Sequence, residues 1–146
     1  MAFQGFIKGV RYIPVPAPVF GELLQEIQDI TELKIILRII RLLHNKKGLE
    51  RYVSIDELLA DRVLSIGMGS MDLDTRRTHI LQCLESSGKR KILIKINRKD
   101  TDTFAYFLNT EFERQAIGKM KGIEHQSDFE PWETGEDRPN IYSLYE

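Results

Sequence analysis

A chain of 146 residues, 42% hydrophobic and 29% charged, has the size of one domain with a tail and a composition that excludes global disorder. Its net charge of −1 conceals an asymmetry: 20 Lys and Arg against 15 Asp and Glu through Gly122, then one base against seven acids from Ile123 onward. A mildly basic body with an acidic tail hints at a polyanionic partner. The single cysteine, Cys83, excludes an internal disulfide and fits a reducing compartment. No uninterrupted apolar run reaches the length of a membrane span, because Glu32, Lys34, Arg38 and Arg41 break up the best candidate, Ile30 to Leu43. The N-terminus shows no charged-then-apolar leader, so a cytoplasmic location is expected.

In chain order, residues 1–10 show no period and read as a flexible arm, and Arg11 to Val15 as a short extended segment. Pro14, Pro16 and Pro18 argue against a helix there. Phe20, Leu23, Leu24, Ile27 and Ile30 fall at the spacings of one helix face. The next helix, Thr31 to Asn45, is capped by Thr31 or Asp29 and carries only a narrow polar stripe of Lys34, Arg38 and Arg41. Each buried Ile or Leu contributes on the order of 1.5–3 kcal/mol, so a helix this apolar is expected at the centre of the core and against another subunit. The expected oligomer surface is Tyr12, Ile13, Val15, Phe20, Leu23, Leu24 and Ile27.

Gly48 is expected to end that helix, and Arg51-Tyr52-Val53 reads as a short strand. Ser54 with Glu57 forms a capping box that starts a helix through Ile55, Leu58, Leu59 and Val63. Ser65 to Met71 reads as a turn, and a further helix runs from Asp72–Thr75 to Ser87, with Gly88 as its stop. The period then becomes two: Ile92, Ile94 and Ile96 alternate with Lys91, Leu93 and Lys95, and a polar turn leads to a return strand, Thr103 to Leu108, with Phe104, Tyr106 and Leu108 on one face. A last helix, Glu111 to Lys121, has acids first and lysines last, which suits the helix dipole. This order predicts an α+β, mainly helical fold: a winged helix with an extra helix at each end, spanning residues 11–122. An acidic linker, 123–139, follows. Within it Trp132, in Phe129-Glu130-Pro131-Trp132, is either a docking motif or packs back on the domain.

Catalysis finds no support. His44, His79 and His125 sit in different elements. His79 and Cys83 stand four apart on one helix, a spacing that can hold zinc, but the sequence offers no second ligand pair, so Cys83 is expected in the core and no metal or other cofactor is expected. No phosphate-cradling glycine motif, nucleophile elbow or kinase signature is present. Asp72 and Asp74 sit where helix N-termini favour negative charge. The expectation is a binding protein with no catalytic residue.

Nucleic-acid contact is the stronger candidate. Lys89, Arg90, Lys91, Lys95, Arg98 and Lys99 are six bases in eleven residues with no acid among them. They run along the first hairpin strand to its tip, where a wing touches a phosphate backbone, although exposed hairpin edges also carry lysine simply to block aggregation. The preceding helix occupies the recognition position, with Thr75, His79, Gln82 and Ser86 as its outward stripe and Arg76 alongside. Arg76, His79 and Gln82 are weaker candidates for DNA contact, because Asp72 and Asp74 stand at the end that enters the groove and repel phosphate.

Several segments resemble one family. Tyr12-Ile13-Pro14-Val15-Pro16, Phe20 to Leu24, Asp29-Ile30-Thr31-Glu32-Leu33-Lys34, Arg51-Tyr52-Val53-Ser54 and Glu57-Leu58-Leu59-Ala60-Asp61 resemble the N-terminal domain of DnaD-like primosomal proteins of bacteria and phages. Tyr106-Phe107-Leu108-Asn109-Thr110 agrees with that family's wing, and Asn140-Ile141-Tyr142-Ser143-Leu144-Tyr145-Glu146 looks like the opening of its C-terminal helical domain, whose body is missing here. The resemblance implies a winged-helix domain that self-associates into dimers or higher oligomers. It also implies DNA binding carried largely by the missing domain, and helicase loading through contacts with initiator and loader proteins. It carries no catalytic residues. The competing expectations are an operator-specific, dimeric winged-helix regulator and a protein-interaction scaffold that never touches DNA.

Overall fold

A computed structural model describes residues 2–48, 51–98, 103–119 and 123–124. The architecture is mixed α+β and mostly helical, with six α-helices and a small antiparallel sheet among these residues. None of the helices is long and apolar enough to cross a membrane.

The chain enters through a 3-10 turn, Ala17–Phe20, with Pro18 in its first turn, where a missing N–H does no harm. α1 covers only Glu22–Glu26 and stops at Ile27, which is extended. The single helix expected through Phe20 and Ile30 is therefore divided. Asp29, one of the two expected caps, accepts the Thr31 N–H and starts α2 (Ile30–His44), which places Ile30 in α2 rather than in the preceding helix. α2 buries Ile35, Ile36, Ile39, Ile40 and Leu43, and Asn45 follows as its C-cap, three residues before Gly48.

Ser54 and Glu57 form the expected capping box at the start of α3 (Ile55–Ala60). The helix does not continue through Val63. Asp61 has an extended backbone and accepts the Leu64 N–H at 3.0 Å, ending α3 and capping α4 (Arg62–Gly67). Arg38 of α2 holds the same carboxylate at 2.8 Å. The segment read as a turn from Ser65 thus begins inside α4, and the turn itself is Met68–Ser70. Asp72 caps α5 (Leu73–Lys89), which outruns Gly88.

β1 (Leu93–Arg98) and β2 (Thr103–Leu108) pair from Leu93↔Leu108 to Arg98↔Thr103. The short strand expected at Arg51–Val53 is one bridged residue: Val53 exchanges both backbone hydrogen bonds with Tyr106, at 3.0 and 2.8 Å. α6 is Glu111–Lys119, and β3 (Ile123–Glu124) pairs with Asn97 and Arg98 on the other side of β1. The sheet therefore continues past Gly122, two residues into the segment read as linker. The remainder of that segment and residues 140–146 lie outside the described residues.

Apolar side chains form two clusters, one on each side of the sheet. Ile35, Ile36, Ile39, Leu58, Ile80 and Leu84 meet Leu93 and Tyr106 in the larger. Ile94, Ile96, Ala105 and Phe107 meet Ile117 of α6 in the smaller. The hairpin is a wall between the two rather than a ribbon appended to a helical core. Sequence alternation put Tyr106 on the face with Phe104 and Leu108, but it left Ala105 and Phe107 unassigned, and both are fully buried.

Two carboxylates are buried with them, each joined to an arginine. Glu32 of α2, 3% exposed, accepts from Ser87 Oγ and from Arg90 Nε, both at 3.1 Å. Glu113 of α6 accepts from Arg51 Nε and Nη2, and from the Thr110 hydroxyl. Removing one partner from such a pair strands a charge in a poor solvent, which costs about 3–5 kcal/mol, whereas replacing both partners by apolar residues is close to neutral. Arg90→Ala is accordingly expected to lower unfolding stability in urea by about 3 kcal/mol or more, and Glu32→Leu with Arg90→Met to recover most of it.

Candidate nucleic-acid interface

The C-terminus of α5 decides where the basic run can point. The Ile92 N–H donates to Ser87 O and the Lys91 N–H to Gly88 O, both at 3.0 Å, which is the Schellman arrangement. It requires a left-handed residue after the C-cap, and Lys91 takes that place at φ 68°. Asn109 Nδ2 donates to the Lys91 carbonyl at 2.9 Å and fixes the turn against the end of β2. Sequence reading put the stop at Gly88, but the helix keeps Gly88 and Lys89 and turns three residues later.

That turn divides the six bases. Lys89, on the last turn of α5, and Lys91 are exposed. Lys95 stands half-buried on β1 with its ammonium 4.3 Å from the Phe104 ring centroid. Arg90, the C-cap, points inward to Glu32, with Glu26 a further 3.6 Å partner. It is a partly exposed ion-pair residue turned toward Glu32, unlike the exposed Lys89 and Lys91 of the same run. Arg98 donates to Tyr52 Oη at 2.6 Å and lies 5.2 Å from that ring, where Lys46 is the second cation at 5.8 Å. Lys99 lies outside the described residues.

Along α5, Gln82 and Thr75 are exposed, while Arg76 and His79 are half-buried. A shallow cleft of about 440 Å³ runs over Asp74, Thr75, Thr78, His79 and Gln82. Its floor holds a carboxylate as well as polar groups, so it is no purely cationic groove. Asp72 is held below its ordinary carboxylate range by hydrogen bonds from Thr75, so the negative charge stays at the N-terminal end of α5. His79 Nε2 lies 3.7 Å from Asp29 Oδ2, and Cys83 Sγ lies 3.7 Å from the same oxygen. Burial, with the charges of Asp29 and Glu32, pushes the Cys83 thiol up to about 12, so it is protonated at neutral pH and is no nucleophile.

The expected oligomer surface also divides. Tyr12, Phe20 and Leu24 are exposed, Tyr12 at 84%. Ile13 is half-buried, and Val15 and Leu23 pack against the chain's own core. Ile27, the extended residue at the end of α1, is buried in that core rather than on an exposed face. Exposed apolar groups that sequence reading passed over lie nearer the N-terminus: Phe6 at 83%, Phe3 and Ile7, with Phe3 and Phe6 in edge contact at 5.0 Å. Their lack of period concealed them, since only aromatic content marks a segment that is neither helix nor strand.

No family model, curated protein or solved structure matches this chain.

Left-handed backbone costs a side-chain-bearing residue roughly 1 kcal/mol or more relative to glycine. Lys91→Gly is therefore expected to raise the urea midpoint, by about 0.5–1 kcal/mol in unfolding free energy, and the same change to glycine at Lys89, inside α5, to lower it by a similar amount.

Proposed function

We propose that this chain is an assembling, DNA-associated winged-helix module of the replication-initiation type, a binding protein and not an enzyme, working in the cytoplasm. The observation that carries the reading is the exposure of six large apolar side chains in the N-terminal segment, Phe3, Phe6, Ile7, Tyr12, Phe20 and Leu24, each about half or more open to solvent. Large apolar side chains exposed at this density along one segment, with Phe3 and Phe6 in contact, are costly in water and support an association surface. On this reading they join copies of the chain into a dimer or a higher oligomer.

Supporting the DNA contact, Lys89, Lys91 and Lys95 follow one another from the end of α5 along β1, beside a hairpin in the position of a wing. Assembly multiplies such a weak basic site, because several copies engage one polyanion together. The primosomal resemblance supplies the partners: replication initiator and helicase-loader proteins. The contact is non-specific, since Arg76 is half-buried and Asp72 and Asp74 occupy the end of α5 that would approach base edges. A scaffold that never touches DNA is the second reading, favoured by Arg90 and Arg98 being engaged inside the domain.

Light scattering combined with fluorescence anisotropy on single- and double-stranded DNA separates these readings. Three phosphate contacts give a slope near −2.7 in log K against log salt, a roughly 40-fold loss of affinity between 50 and 200 mM. The expected result is a mass above the monomer, weak binding with that salt slope, and loss of binding with unchanged mass in a Lys89, Lys91 and Lys95 charge-reversal variant. Phe20→Ser with Leu24→Ser is expected to reduce the mass. A monomer at tens of micromolar contradicts the assembly, and binding that survives the reversal contradicts the DNA site.

A further inference from the structure

The Asp29, His79 and Cys83 side chains bring three different metal-ligand types together from two elements, with their ligand atoms all within 4.8 Å of one another. His79 and Cys83 are one turn apart on α5, and Asp29 is the N-cap of α2, 54 residues before Cys83. The sequence offers only the His79–Cys83 pair. The missing third ligand is a helix cap that packing carries across. We propose that these three residues bind a zinc ion, which clips the start of α2 to the middle of α5.

The geometry matches the ion. Zinc takes sulfur at about 2.3 Å and nitrogen or oxygen at about 2.0–2.2 Å, so ligand atoms on a tetrahedron stand roughly 3.3–3.7 Å apart. Asp29 Oδ2 already lies 3.7 Å from both His79 Nε2 and Cys83 Sγ. The His79 to Cys83 side has furthest to close, by about 1–1.5 Å if the pair sits at the 4.8 Å limit. The second oxygen, Oδ1, accepts the Thr31 N–H at 3.0 Å, which orients the carboxylate and turns Oδ2 to the cluster, as the partners of metal ligands do.

Charge fits as well. On binding, the Cys83 thiol gives its proton to solvent, and thiolate and carboxylate together balance the two positive charges beside a neutral imidazole. A thiolate selects zinc over calcium and magnesium, which take oxygen ligands. Asp29 is exposed, His79 half-buried and Cys83 buried, so the ion enters from the Asp29 side and water completes the tetrahedron.

Cobalt(II) titration of the full chain, freed of metal by a chelator, tests the proposal. The expected result is one cobalt per chain with thiolate-to-cobalt charge-transfer absorption, displaced by zinc. Cys83→Ser is expected to abolish that absorption, and His79→Ala to weaken cobalt binding at least about tenfold. Asp29→Asn keeps a capping side chain, so metal-free stability holds while cobalt affinity falls on the same scale. Zinc at about a hundredfold excess over its dissociation constant raises the Tm by roughly 10 °C in the unaltered chain, by about half that or less in His79→Ala and Asp29→Asn, and not in Cys83→Ser. Absence of the charge-transfer absorption overturns the proposal, as does a zinc-dependent rise in Tm that persists in Cys83→Ser.

Discussion

The carboxylate of Glu32 sits in the first turn of α2 with almost no access to water, and the protein around it is organised to satisfy that charge. Ser87 and Arg90 reach it from the last turn and the C-cap of α5, so the pairing fixes how the two longest helices cross. It also fixes where the chain turns. Arg90 must face inward, Lys91 must then adopt a left-handed backbone, and Ile92 closes the helix by bonding back to Ser87. The hairpin departs from a point that this ion pair determines. The desolvation of Glu32 is offset only by its hydrogen bonds, so the arrangement specifies geometry more than it adds stability.

From that junction the two apolar clusters follow. β1 sends Leu93 into the helical core and Ile94 and Ile96 toward α6, and β2 does the same with Tyr106 on one side and Ala105 and Phe107 on the other. The second buried pair, Arg51 with Glu113, repeats the device at the other edge, tying α6 to the segment that carries Val53 against β2. A hairpin held on both faces is a rigid platform for whatever lies at its outer strand. Lys95 on β1, and Lys91 in the turn before it, inherit that rigidity, while Arg90 and Arg98 of the same run are engaged with Glu32 and Tyr52.

Local chemistry was legible wherever a short motif decides the outcome. Ser54 with Glu57 foretold the start of α3, Asp29 and Asp72 stood near their helix starts, and the change of period at Ile92 foretold the hairpin. Tertiary choices were not legible. Asp61 reads as an ordinary acid inside an apolar period, yet Arg38 draws it to a position where it ends one helix and caps the next. Arg90 and Lys91 are equivalent in a basic run until Glu32 takes one of them. Asp29 near Cys83 is invisible to spacing, because 54 residues separate them and only the crossing of α2 with α5 brings them together. Ile27 fits an exposed helical face by period and is buried because that helix is a single short turn.

The account stands on the division of the basic run into an inward and an outward set, and a matched pair of neutralising variants tests it most directly. Arg90→Gln and the double variant Lys89→Gln, Lys95→Gln are compared by urea unfolding and by the salt dependence of DNA anisotropy, both at a temperature where each is folded. The account predicts that Arg90→Gln lowers the urea midpoint and keeps the salt slope, while the lysine variant keeps the midpoint and flattens the slope by about two contacts' worth, near 1.8. A salt slope that falls with Arg90→Gln while the midpoint stays fixed would contradict it.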